Sequence, residues 1–270
     1  MMTAVETVRS ADGTAIAFAR LGRGPALLLV DGALGGREHP LHSQLAPLLA
    51  PNFTVLNYNR RGRGDSGDTA PYAVAREIED IAALIDAVGG TAFVYGISSG
   101  AILALEATNA LAGRVTKLAL YEPPFIIDDS RPPLPDDYVA HLDALVAAAR
   151  RGDAVEYFMT AAIRLPTEYL AMLRQSPSWA DMETIAHTIA YDGRVVADTM
   201  AGKPLPTDRW TAVTMPTLVL AGADTEQFMH DGADALAALL PDARRQTLAG
   251  QHHAVEPAAL APVLTAFFAA

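Results

Sequence analysis

The sequence predicts an α/β fold, a mostly parallel, doubly wound sheet interrupted by a helical insert. Three observations predict it. Short apolar runs alternate with helical patterns through residues 26–121, the rhythm breaks into proline-rich, helix-forming sequence from Pro123 to Pro206, and it then resumes to the end. Strands separated by helices of this kind read as βαβ units, with parallel strands buried on both faces. The expected organisation is a core of residues 1–124 and 205–270 and a helical cap over 125–204.

Each element has its own signal. Residues 7–9 and 15–20 flank Ala11-Asp12-Gly13-Thr14, a hairpin turn. Residues 26–30 (ALLLV) and 53–58 (FTVLNY) are continuous apolar strands; the first ends in Asp-Gly, the second runs into a Gly-rich turn at 61–67. Ile78, Ile81, Ile85 and Val88 recur at helical spacing, with Gly89-Gly90 as the stop. A strand at 92–95, a helix at 99–111 and a strand at 117–121 follow. Within the insert, helical segments are expected over 138–151, 154–163 and 182–191. Strand 217–221, helix 231–240, strand 245–248 and helix 257–268 complete the sheet.

Composition removes whole classes of function. Of the 270 residues 51% are hydrophobic, ample for a packed core. A net charge of -11 argues against a nucleic-acid partner, because phosphate binding needs a basic face. With no cysteine there is no disulfide, thiolate metal site or Cys nucleophile. Residues 1–18 lack the basic-then-apolar pattern of a secretory leader, and no apolar stretch is long enough to span a bilayer. The expectation is a cytoplasmic protein that acts on a small molecule, with no cofactor and no membrane contact.

Gly96-Ile97-Ser98-Ser99-Gly100 has the pattern G-x-S-x-G. It follows the apolar strand Phe93-Val94-Tyr95 and opens an Ala- and Leu-rich helix, the setting in which a serine sits on a tight strand-to-helix turn. The glycines suit a turn that brings backbone segments together, and the helix N-terminus favours negative charge at the reacting centre. Ser98, central between the glycines, is the candidate nucleophile; an ordinary βα turn is the plain structural alternative. Serine needs a general base, commonly histidine. Of the seven histidines, His39, His42, His141, His187 and His230 fall on predicted helices or their edges, where packing or surface roles are the default. His252 and His253 stand in a loop after the last strand, and no HExxH spacing or carboxylate cluster accompanies them to suggest a metal.

With these residues in view, the chain resembles the α/β-hydrolase family over nearly its whole length. Val30-Asp31-Gly32, Arg60 to Ser66, the elbow at Ser98, the helical insert in the cap position and Gly250-Gln251-His252-His253 carry the resemblance. It implies an α/β-hydrolase fold and, from the spacing after the strand-end glycine, His253 rather than His252 as base. The acid that fixes the base's tautomer has two candidate places. In the commoner one, after the strand at 217–221, Thr225 stands where the aspartate usually is, and Asp224 is one residue early. The other is the strand end at the cap hinge, Tyr121-Glu122-Pro123, where one subgroup of haloalkane dehalogenases and the zearalenone lactonases carry a glutamate. Glu122 is the preferred acid, Asp224 the alternative.

Acyl transfer also needs two N–H donors for the oxyanion. Ser99 is expected to supply one and Gly32 the other, with Ala33 next. Asp31-Gly32, where most relatives carry His-Gly, is shared with the zearalenone lactonases, as are the Ser-Ser-Gly elbow and the hinge glutamate. The resemblance thus implies a serine esterase or lactonase acting on a fairly apolar ester or lactone, with a zearalenone-like macrolactone as one possibility. C–C bond hydrolysis or a lyase reaction on the same triad, or a low-turnover ligand-binding protein, are the alternatives. Asp31, Leu134, Met159, Trp179, His187 and Tyr191 are candidate substrate contacts, and cap packing is the competing role for those in the insert.

Overall fold

The computed structural model describes residues 4–270; residues 1–3, the start of the stretch read as lacking a leader, lie outside the described residues. Eight strands form one sheet: β1 (Val5–Arg9), β2 (Ala15–Leu21), β3 (Ala26–Val30), β4 (Thr54–Tyr58), β5 (Ala92–Ile97), β6 (Val115–Tyr121), β7 (Thr217–Gly222) and β8 (Ala243–Leu248). Their order is β1-β2-β4-β3-β5-β6-β7-β8. The hairpin β1–β2 is antiparallel and joins β4 antiparallel, while β4, β3, β5, β6, β7 and β8 run parallel.

Because successive side chains on a strand point to opposite faces, each central strand feeds two cores. In β3, Leu28 and Val30 enter one cluster and Leu27 and Leu29 the other; in β6, Leu118 and Leu120 oppose Ala119 and Tyr121. Helices α1 (Pro40–Leu49) and, at the C-terminus, α10 (Pro257–Ala269) cover the second face with Leu41, Leu45, Leu49, Leu260, Leu264 and Phe268. The first face is covered by α2 (Val74–Asp86), α3 (Ser99–Ala110) and α9 (Gln227–Leu239). The cap helices α4 (Tyr138–Ala147), α5 (Arg151–Tyr157), α6 (Thr167–Arg174), α7 (Ser178–Thr184) and α8 (Ile189–Val196) lie between β6 and β7. Their buried residues, such as Leu142, Val155 and Ile189, join that first core rather than forming one of their own.

Several expected elements come out differently. The helix expected over 138–151 breaks near Ala149, whose φ of 59° lies in the left-handed region, so α4 and α5 are separate. The second segment ends in a single wide turn, Phe158–Ala162, and the third divides into α7, a tight turn at Ala186–Thr188 and α8. Helix α6 had no counterpart in the sequence reading, and α1 only the placement of His39 and His42 on a helix or its edge. Among the described residues no helix is long and apolar enough to cross a membrane.

Candidate active site

The carboxyl ends of the parallel strands carry the candidate residues, as ligand sites in open α/β sheets do. Ser98 sits between β5 and α3 with φ 56° and ψ -132°, a backbone conformation costly for any residue with a side chain. The surroundings impose it: Ser98 N–H donates to the Tyr121 carbonyl at 2.9 Å, and the Ser98 carbonyl accepts from Ala101 N–H at 2.9 Å. A Cβ on Gly96 would stand 2.5 Å from the Gly100 carbonyl oxygen, and one on Gly100 would stand 2.4 Å from that of Asp31. The elbow therefore admits no side chain at either flank.

Glu122 follows β6 and is fully buried. Its Oε2 lies 2.7 Å from His253 Nδ1 and accepts from the Thr225 hydroxyl at 3.2 Å, while Oε1 accepts from Gly222 N–H at 2.8 Å. Thr225 therefore touches the Glu122 carboxylate from the position where the late aspartate usually stands. Asp224, the alternative acid, is exposed. His252, the alternative base, has an exposed side chain, and its carbonyl accepts the Tyr121 hydroxyl at 2.7 Å. With Nδ1 committed to Glu122, Nε2 of His253 is the nitrogen left for the cavity that it lines together with Ser98.

The oxyanion loop departs from expectation. Asp31 Oδ1 accepts the Gly32 N–H at 2.8 Å and Oδ2 accepts the Gly36 N–H at 2.9 Å. Gly32 N–H is thus committed to its own neighbour and is not free for a substrate oxygen. Ala33, the second choice, lines the cavity beside Ser98 and Ser99.

Beneath the loop lies a buried ion network in which sequence reasoning missed Asp192. This residue of α8 takes Arg60 Nη1 on Oδ1 at 2.5 Å, Arg63 on Oδ2, and the Ser99 hydroxyl on Oδ1 at 2.7 Å. Arg60 also pairs with Glu77, and Arg63 Nη1 donates to the carbonyls of Gly32 at 2.6 Å and Gly35 at 3.2 Å. Burial pushes the Asp192 carboxyl up, but the charges of Arg60 and Arg63 outweigh it and hold it below the ordinary carboxylate value. One cap carboxylate thereby ties together the elbow, the oxyanion loop and the insert. The turn at Arg60–Ser66 was visible in the sequence; no local motif marks Asp192.

Ser98 and His253 open on an inner cavity of about 130 Å3, walled mainly by Phe158, Ile163, Val196, Met200, Phe228 and Met229. They also line an outer cleft of about 1230 Å3, which Asp31 and Met159 help to form. Four expected contacts line neither. Trp179 is buried in the cap, where its indole N–H donates to Glu183 at 2.8 Å. Tyr191 stacks on Tyr72 at 3.9 Å and donates to Asp68, which also faces His187 at 3.5 Å. Leu134 is buried in the core. These side chains are consumed by holding the cap together and to the core. Among the described residues no cluster of three or more His, Asp or Glu is placed to hold a metal ion.

Comparison with known proteins agrees with this fold. The alpha/beta hydrolase family model matches residues 26–263. An alpha/beta hydrolase from Sphaerobacter thermophilus DSM 20745 is 52% identical, with a TM-score of 0.89 over 97% of this chain and 100% of that one. A hydrolase from Pseudomonas aeruginosa PA01, 24% identical, shares the fold at a TM-score of 0.73 over 100% of both chains. Polyketide synthase ThaQ of Burkholderia thailandensis is 30% identical over 96% of this chain, which spans only 13% of that protein's length. The chain belongs to the alpha/beta hydrolase family.

Proposed function

We propose that the protein hydrolyses an ester or lactone with an apolar body, using Ser98 as nucleophile, His253 as general base and Glu122 as the residue that orients it. The observation that carries this reading is the 2.7 Å contact between Glu122 Oε2 and His253 Nδ1, in a cavity shared with the strained Ser98. A carboxylate on Nδ1 fixes the tautomer with Nε2 unprotonated and stabilises the imidazolium that follows.

Ser98 Oγ attacks the carbonyl carbon as its proton passes to His253 Nε2. The tetrahedral oxyanion accepts from the N–H groups of Ala33 and Ser99. His253 then protonates the leaving alcohol, and a water deprotonated by His253 cleaves the acyl-enzyme to release the acid and free Ser98. The apolar wall and the net charge of -11 support a small organic substrate over a nucleic acid or peptide, and the lack of cysteine suits a reducing cytoplasm. Macrolactones of the zearalenone type belong in the first substrate panel, on the strength of Asp31-Gly32, Ser98-Ser99-Gly100 and Glu122.

A fluorophosphonate probe tests the reading. Mass spectrometry should find the phosphonyl adduct on the peptide containing Ser98, and a p-nitrophenyl ester should give a burst of one nitrophenol per chain. Labelling elsewhere, or binding without a burst or turnover, would favour a ligand-binding protein instead.

A further inference from the structure

The apolar inner cavity has one buried cation in its wall, Arg131, in the loop between β6 and α4. The guanidinium is held from three sides. Nη2 donates to the carbonyls of Ala162 at 2.9 Å and Ile163 at 3.3 Å, the Phe228 ring lies 4.2 Å beneath, and Nη1 meets the Glu226 carboxylate. The two partners of this ion pair differ sharply in exposure, at 7% for the Arg131 side chain and 66% for that of Glu226. A buried charge needs a partner, whereas a carboxylate facing water is only weakly bound by its pair. The two carbonyls and the ring hold the guanidinium independently of Glu226. The cavity's buried carboxylate, Asp192, is already matched by Arg60 and Arg63 and offers Arg131 nothing.

We propose that Arg131 is an anion subsite, and that the natural ester or lactone carries a carboxylate that replaces Glu226 on its Nη1. This narrows the hydrolase reading given above and rests on it. The apolar wall points to an uncharged body for the substrate, and the proposal departs from that at one end only. The substrate's body meets Phe158, Val196, Met200 and Met229, while its acidic end meets a fixed guanidinium in a dry wall, where a charge-assisted hydrogen bond is at its strongest. Glu226 closes the subsite when no acid is bound and competes with it when one is.

Two esters matched in chain length test the subsite: p-nitrophenyl hexanoate, which is neutral, and the p-nitrophenyl monoester of hexanedioic acid, which ends in a carboxylate. The wild-type kcat/KM should be at least about tenfold higher for the acidic ester. Arg131→Gln should lose about 30-fold on the acidic ester, mainly through KM, and no more than about threefold on the neutral one. Glu226→Gln, at an exposed position where folding is not at stake, should raise kcat/KM for the acidic ester about threefold or more. Calorimetric binding of hexanedioate to Ser98→Ala gives a readout that needs no turnover, and adding Arg131→Gln should weaken it at least about tenfold. Equal losses on both esters, no preference for the acid, or hexanedioate binding indifferent to Arg131 and Glu226 would overturn the subsite. Ser98 labelling and neutral-ester turnover would survive that result, whereas failure of the hydrolase reading would remove both.

Discussion

Glu122 Oε2 lies 2.7 Å from His253 Nδ1, although the two residues are 131 positions apart in the chain. Every other hydrogen bond to that carboxylate comes from the end of β7 and the loop after it, through Gly222 N–H and the Thr225 hydroxyl. The loop that commonly supplies the acid here supplies donors that hold a glutamate brought from β6.

The strained elbow separates catalysis from stability. Ser98→Ala should lower kcat by about 10^4-fold or more, since the triad acts as a unit. Ser98→Gly should be equally inactive yet melt higher, because glycine occupies φ 56° without the cost of about 1–3 kcal/mol that other residues bear there. Kinetics and thermal melts on the two variants check both halves.

Asp192 should matter for folding as well as for rate. Asp192→Asn leaves Arg63 without its carboxylate while Arg60 keeps Glu77, so a loss toward the lower end of about 3–5 kcal/mol is expected. The native carboxyl titrates below its ordinary 3.8. Its contribution is therefore complete above that value and is lost as pH falls through the lower folded one. Acid melts of wild type and Asp192→Asn should converge at the lowest pH. Ser99→Ala, which removes only the hydroxyl bonded to Asp192 and keeps the backbone N–H, should cost less than about tenfold in kcat.

His42 carries a second pH dependence. Its ring is buried, neither nitrogen has a hydrogen-bond partner, and Asp31 Oδ2 is 3.6 Å away. Burial pushes its pKa below the ordinary 6.5, so the folded state prefers the neutral ring. Stability is therefore full above 6.5 and falls as pH drops toward the folded value, by at most about 1.4 kcal/mol per pH unit from this one site. His42→Phe keeps a ring and removes the titration; its unfolding free energy should depend less on pH between about 6.5 and 5 than that of the wild type.

The sheet was legible because β3 to β7 are apolar on both faces and read as continuous runs. Helix α1 was not, although Leu41, Leu45 and Leu49 repeat every fourth residue, because Pro47 and His42 interrupt the pattern. The short cap helices begin at Pro166 and Pro177 or break at Ala149, and their turns defeat a periodicity argument. Ser98 and His253 were found because local motifs carry them, and Glu122 because the hinge does. Asp192 meets Ser99 across 93 positions with no motif, and Arg131 and Glu226 meet across 95. Trp179 and Tyr191 misled because the cap uses its aromatic residues to hold itself together and to the core.

Glu122→Gln against Asp224→Asn is the measurement that reaches the centre of the account. Glutamine can neither fix the His253 tautomer nor stabilise the imidazolium, so kcat should fall by about 10^4-fold while KM and the melting temperature change little. Asp224→Asn, at an exposed position, should keep kcat within about twofold of wild type. An inactive Asp224→Asn beside a healthy Glu122→Gln would contradict the account and place the acid on the loop after β7.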